Sequence, residues 1–282
     1  MRFSTILLAI LLASSSSIGQ ISDRLISQKF YAGALYTGSV PRGSYALVNA
    51  IDVRAATEVI VGSDDLKMTG RFAWSNPNTS IGHFWLTKPI NDFDEIRAGF
   101  VSRPIALLMR SGIHTADFHF EPSAKSAIPG SSLGLVWADM IDQKVNLAGG
   151  ISRSAGNHIE INFGGQIDPL IPDLIFGGGR IDLAAFWSVD RTGLAAKVAK
   201  SGNFECVVFS DNDSTASLFF LLNTPIGDPY LSYVGDLESI DDYQSLEIGL
   251  TRDFNGGMAS GLAGIGYDWA AKAIRFYIFV HN

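Results

Sequence analysis

From Lys29 onward the chain alternates between polar and apolar positions with a period of two, in short runs separated by turn residues. In Leu66-Lys67-Met68-Thr69-Gly70-Arg71-Phe72 one parity carries the apolar side chains and the other carries charge or hydroxyl. Glu95-Ile96-Arg97-Ala98-Gly99-Phe100 and Ser245-Leu246-Glu247-Ile248-Gly249-Leu250-Thr251-Arg252 repeat the pattern. Successive side chains of a strand point to opposite faces, so each run has one dry face and one wet face. The same rhythm predicts about sixteen strands, near 29–40, 44–61, 66–74, 79–88, 94–104, 131–141, 145–154, 158–167, 176–190, 192–200, 204–211, 215–223, 229–236, 244–253, 257–268 and 271–280. Between them stand turn signals such as Pro41-Arg42-Gly43, Asp64-Asp65, Asn76-Pro77-Asn78, Asp211-Asn212-Asp213 and Asn255-Gly256-Gly257. No helical periodicity is sustained after the first nineteen residues, and Leu174-Ile175-Phe176 reads as the start of a strand.

Runs of this length suit tilted strands that cross a bilayer, and in hydrocarbon such a sheet has to close on itself to satisfy its backbone. The expected fold is therefore all-β: a closed antiparallel transmembrane β-barrel of about sixteen strands, within a range of twelve to sixteen, with short turns and one long inward-folding loop. The aromatic-rich last run, Ala273 to Val280, is placed to pair with the first. Trp74, Trp85, Trp187, Tyr230 and Trp269 fall near run ends, as interfacial girdles would require. The competing reading is a secreted, soluble all-β protein, a sandwich or solenoid that binds glycans or serves as a structural module, in which these aromatics belong to a core.

Composition narrows the choice. With 47% hydrophobic and 17% charged residues, the 282-residue chain is too apolar for disorder and low in charge for a soluble domain. A net charge of -7 leaves no basic field for nucleic acid. Residues 1–19 read as a signal peptide: Arg2, an apolar run from Ile6 to Ala13, then Ser17 and Gly19 at the positions that precede a cut before Gln20. Residues 20–282 then form a single barrel domain in the cell outer membrane, in contact with its lipid. The single cysteine, Cys206, excludes an internal disulfide framework.

The one long connection, Leu107 to Gly130, follows the fifth predicted strand and would be the third external loop. Around it the motifs Arg97-Ala98-Gly99-Phe100-Val101-Ser102-Arg103-Pro104, Phe118-His119-Phe120-Glu121-Pro122 and Ile128-Pro129-Gly130-Ser131-Ser132-Leu133-Gly134 stand in sequence. This stretch, residues 97–134, resembles phosphate-selective-type porins of the Gram-negative outer membrane, in which a Gly-x-x-x-Arg/Lys-Pro strand runs into an acidic-aromatic loop and then a Gly-bearing strand. The resemblance implies a passive pore for small polar solutes or ions, commonly of sixteen strands and open to homo-oligomer formation as a trimer. The chain departs from that family in being short for a large porin, in ending Val280-His281-Asn282 without a terminal aromatic, and in its acidic balance, so phosphate selectivity is not carried over.

Parity places Lys67, Arg71, Glu95, Arg97, Arg103, Glu160, Asn162, Arg180, Asp182, Glu247 and Arg275 on wet faces. In a pore these line the wall, and their mixed signs predict weak ion selectivity. The expected constriction sets Arg97, Arg103 and Arg110 against Asp117 and Glu121, with Arg71 and Arg180 also lining the pore. Replacing Arg71 or Arg97 by Ala is expected to leave folding intact. His114, Asp117, His119 and Glu121 are metal-capable, yet a loop offers no oriented second shell, so neither metal nor cofactor is expected. No Gly-x-Ser-x-Gly elbow is present, and Ser111 near His114 lacks an acid and an oxyanion donor, so no enzyme is expected.

Overall fold

The structure, a computed structural model, describes residues 25–44, 47–75, 83–109, 122–141, 144–154, 156–200, 202–213, 215–236, 244–254 and 259–281. Sixteen strands follow in chain order: β1 (Leu25–Pro41), β2 (Val48–Gly62), β3 (Lys67–Ser75), β4 (His83–Pro89), β5 (Asp94–Ser102), β6 (Ser131–Ile141), β7 (Lys144–Arg153) and β8 (Ile159–Gln166), then β9 (Arg180–Trp187), β10 (Thr192–Lys200), β11 (Phe204–Asp211), β12 (Thr215–Leu222), β13 (Asp228–Asp236), β14 (Gln244–Phe254), β15 (Ala259–Asp268) and β16 (Ala273–His281). Each pairs antiparallel with its sequence neighbours, and β1 pairs with β16 from Gly33↔His281 to Pro41↔Ala273. No edge is left open, so every strand finds a ladder partner on both sides.

The faces are inverted relative to a soluble protein. Met68, Phe84, Leu86, Ile248, Ile265 and Ile278 stand on the exposed outer surface, Ile248 at 55% exposure, whereas Glu58, Arg71, Arg97, Glu160, Asn162 and Asp182 are buried inside, Glu160 at 1%. Period-two alternation on a single closed sheet produces this sorting directly. It excludes the packed sandwich, whose two sheets would have met across an apolar interior.

Among the described residues three short helices interrupt the strands: α1 (Pro104–Met109), α2 (Ser123–Ser126) and α3 (Leu170–Phe176). The strand predicted over 176–190 begins only at Arg180, and the strand-like Leu174-Ile175-Phe176 is helical. Asp168 accepts the Leu170 N–H at 2.9 Å, Pro169 and Pro172 restrict the first turn, and Gly177 closes the helix in the left-handed region at φ 66°. Seven residues are too few for a period of 3.6 to emerge from the sequence. Likewise Pro104, the last residue of the strand predicted over 94–104, instead opens α1, its missing N–H being harmless at a first helical position.

Two of the proposed girdle aromatics turn inward. Trp85 shares the parity of buried Thr87, and Tyr230 shares that of buried Ser232. Tyr230 and Tyr277 are hydrogen-bonded to each other within the barrel. Trp187 stands outside at the end of β9 as a girdle residue would, and the Trp74 side chain lies outside the described residues.

Ile248→Arg places a charge on the outer face at mid-strand. At a bilayer midplane it is expected to cost about 2–4 kcal/mol, read from urea titration of the folded fraction in lipid vesicles. An unchanged midpoint would contradict the assignment of this face to lipid.

Candidate functional site

The two described ends of the connection between β5 and β6, residues 103–109 and 122–130, lie inside the barrel. Ile105, Leu108 and Met109 of α1 are at most 1% exposed and pack against the inner faces of β6 to β10. The wall accommodates the helix through small residues: Ala148, Ala184 and Ala195 are buried there, and a Cβ on Gly164 would collide with Ala184 and Leu108. Lys197 of β10 reaches inward, donates to the Leu108 carbonyl and lies 3.2 Å from Asp182. Arg103, at the entry to α1, pairs with Glu160 at 3.2 Å and donates to the Arg153 carbonyl at 3.0 Å.

The return of the loop is fixed to a different sector, β11 to β14. Here α2 is too short to satisfy its own backbone, and wall side chains supply the missing partners. Glu247 accepts the Ser123 N–H at 3.0 Å, Ser232 Oγ accepts the Ala124 N–H at 2.9 Å, and Ser217 donates to the Ala124 carbonyl at 3.0 Å. Lys125 Nζ pairs with Glu205 at 2.8 Å and lies 4.2 Å above the Phe219 ring. Cation, carboxylate and ring together stabilise an ammonium that is almost wholly buried.

Opposite these attachments, β2 to β5 carry three arginine–carboxylate pairs. Arg54 Nε lies 2.7 Å from Asp52 and 5.8 Å from the Phe279 ring centroid. Arg71 is ion-paired with Glu58 and stands 5.3 Å from the Trp85 ring centroid. Arg97 pairs with Glu95 and donates to Met140 Sδ at 3.7 Å. Arg71, His83, Trp85, Arg97 and Phe100 surround one recess, and Arg71 Nε, buried there, has no hydrogen-bond partner among the described residues.

Of the residues singled out from the sequence, Arg71 and Arg97 thus share one recess. Arg103 is held on another sector by Glu160, and Arg180 is held by Asp182 at 2.6 Å and by the Val145 carbonyl. Arg110, Asp117 and Glu121 lie outside the described residues, as do His114 and His119. Among the described residues no three His, Cys, Asp or Glu side chains gather as metal ligands would. Lys125, Lys197, Glu205, Ser217 and Ser232, which attach the loop, were not singled out. Their signal was there to be read, since each is a polar residue on the inward parity of its strand or in the loop itself.

The same architecture, a sixteen-strand barrel closed on itself, recurs in solved porins. The chain has the porin fold. It superposes on a mutant of Rh. blastica porin with a TM-score of 0.58 at 10% identity, covering 90% of this chain and 99% of that one. A triple mutant of Rhodopseudomonas blastica porin aligns over the same shares with a TM-score of 0.57 at 8% identity. No family model matches the chain, and no curated protein matches it in sequence. At such low identity the likeness is one of fold.

The burial of Arg71 against Glu58 revises one expectation. Arg71→Ala leaves a carboxylate that is 3% exposed without its partner, and it is expected to destabilise the barrel by about 3 kcal/mol. Adding Glu58→Gln to that variant recovers most of the loss. Both are measured as shifts in the urea midpoint of folding into vesicles, and a double variant no more stable than the single one would contradict the pairing.

Proposed function

We propose that the chain is a passive diffusion channel of a bacterial outer membrane, conducting small polar solutes or ions. The observation that carries this reading is the inversion of the faces: an apolar outer surface around a charged, hydroxyl-bearing interior that also holds a folded loop. A wall apolar on the outside is matched to hydrocarbon, and a polar inside is matched to water and its solutes. Residues 1–19 act as the export signal, and homo-oligomers, trimers among them, fit the porin fold.

In this reading solutes pass the recess of Arg71 and Arg97, and Arg110, Asp117 and Glu121, which lie outside the described residues, are assigned to the constriction by their place in the sequence alone. Arg103 and Arg180 line and stiffen the wall beyond it. Each described arginine of β2 to β5 is countered by a carboxylate within ion-pair distance. Paired charges cancel beyond a few ångströms, so the local field sorts ions weakly. Conduction needs no cofactor and no bond-making step, and no catalytic role is assigned to any residue.

Reconstitution tests the reading. Purified full-length chain added to a planar bilayer is expected to produce discrete, stepwise current increments, with a small reversal potential in a salt gradient. Vesicles carrying it are expected to swell in small sugars at a rate that falls with solute size. A folded, vesicle-inserted barrel giving neither current nor swelling would overturn the channel.

A further inference from the structure

In α3, the connection between β8 and β9 carries an apolar stripe that the barrel does not cover. Leu170, Ile171, Leu174 and Ile175 are 67, 41, 87 and 62% exposed. Their spacing puts them on one side of the helix. Because strands alternate in direction, this connection lies at the end of the barrel opposite the loop that carries α1 and α2.

The helix is attached to the outer face of the wall. Lys200 and Phe204 pair in register, and Phe204 pairs with Leu222, a residue of the exposed apolar surface, so all three project outward. Lys200 Nζ donates to the Phe176 carbonyl at 2.7 Å. The rings of Phe176, Phe204 and Phe220 follow one another with centroids 6.3 Å apart at each step. The apolar band of the barrel therefore runs without a break into α3. Turns at the same end add to it: Ile90 and Phe93 between β4 and β5 are 55 and 58% exposed, and Ile226 between β12 and β13 is 77% exposed.

We propose that α3 lies in the boundary between headgroups and acyl chains of the phospholipid leaflet at this end of the barrel, its aliphatic stripe turned into the lipid. The inference rests on the membrane-barrel reading above and adds a specific lipid-contact element to it. Four side chains cannot furnish the roughly 800 Å² per partner that a specific protein interface requires. An amphipathic turn that extends an existing apolar band needs only to sink by part of its own width. The exposed carboxylates of Asp168 and Asp173 flank the stripe and remain available to water and headgroups.

Depth measurement tests it on the full chain. With Cys206→Ala as background, single cysteines introduced as Leu174→Cys, Ile248→Cys and Asp213→Cys are given an environment-sensitive fluorophore and reconstituted in phosphatidylethanolamine–phosphatidylglycerol vesicles. Brominated phospholipids are expected to quench the label at 174 several-fold more than the label at 213, and aqueous iodide is expected to do the reverse. The label at 248 reports on the barrel itself. If 248 is quenched by lipid while 174 is open to iodide, the helix placement is wrong and the membrane barrel stands. Protection of 174 from both quenchers would mean that protein covers the stripe, and it would overturn the proposal equally. If lipid fails to quench even 248, the membrane reading fails first.

Discussion

Closure of the sheet is the constraint from which the rest of the structure follows. A strand edge leaves N–H and C=O groups without partners, and beside hydrocarbon no solvent can supply them. Pairing β1 with β16 over Gly33↔His281 to Pro41↔Ala273 removes the last edge. Once the sheet is closed, each side chain has only two destinations, and the alternation along every strand decides between them. Leu246 and Ile248 go out while Glu247 goes in, and Glu247 then becomes available to hold the Ser123 N–H of the loop.

A polar interior creates its own requirement, because charges brought close together in a narrow space must be paired or solvated. The barrel meets this by pairing along and across neighbouring strands. Asp52 with Arg54, Glu95 with Arg97 and Arg180 with Asp182 are two residues apart on one strand, and Glu58 and Arg71 face each other across the β2–β3 register. Where the wall has no such partner of its own, the loop provides it: Lys125 meets Glu205, and Arg103 meets Glu160. The loop is therefore held by the same electrostatics that make the wall compatible with water.

Legibility in the sequence tracks the physical range of each signal. Strands 131–141, 192–200 and 204–211 were predicted at their observed bounds because alternation and turn residues act within a few positions of one another. The inward side of Arg71, Arg97, Glu160 and Asp182 follows from the same parity. The short helices were not readable, since four to seven residues cannot display a helical period and their order comes from Pro, Gly and the wall they touch. Trp85 and Tyr230 were assigned by nearness to a run end, although their parity with Thr87 and Ser232 already pointed inward. The inward parity of the residues that attach the loop was legible, but which of them pair was not, because Lys125 and Glu205, or Ser123 and Glu247, are joined only after the barrel has closed.

The attachments of the loop also make the interior asymmetric. α1 occupies the sector of β6 to β10, where Gly164, Ala148 and Ala184 leave room for Leu108 and its neighbours. α2 occupies the sector of β12 and β13, where Ser217 and Ser232 serve its backbone. What the described part of the loop leaves uncovered is the sector of β2 to β5, and that is where aromatic and guanidinium groups alternate: Arg54 with Phe279, Arg71 with Trp85. Flat rings hold long arginine side chains against the wall at little entropic cost and keep their charge directed along it. Small residues on one side and arginine–aromatic pairs on the other are thus two halves of a single arrangement, one receiving α1 and the other standing apart from both described helices.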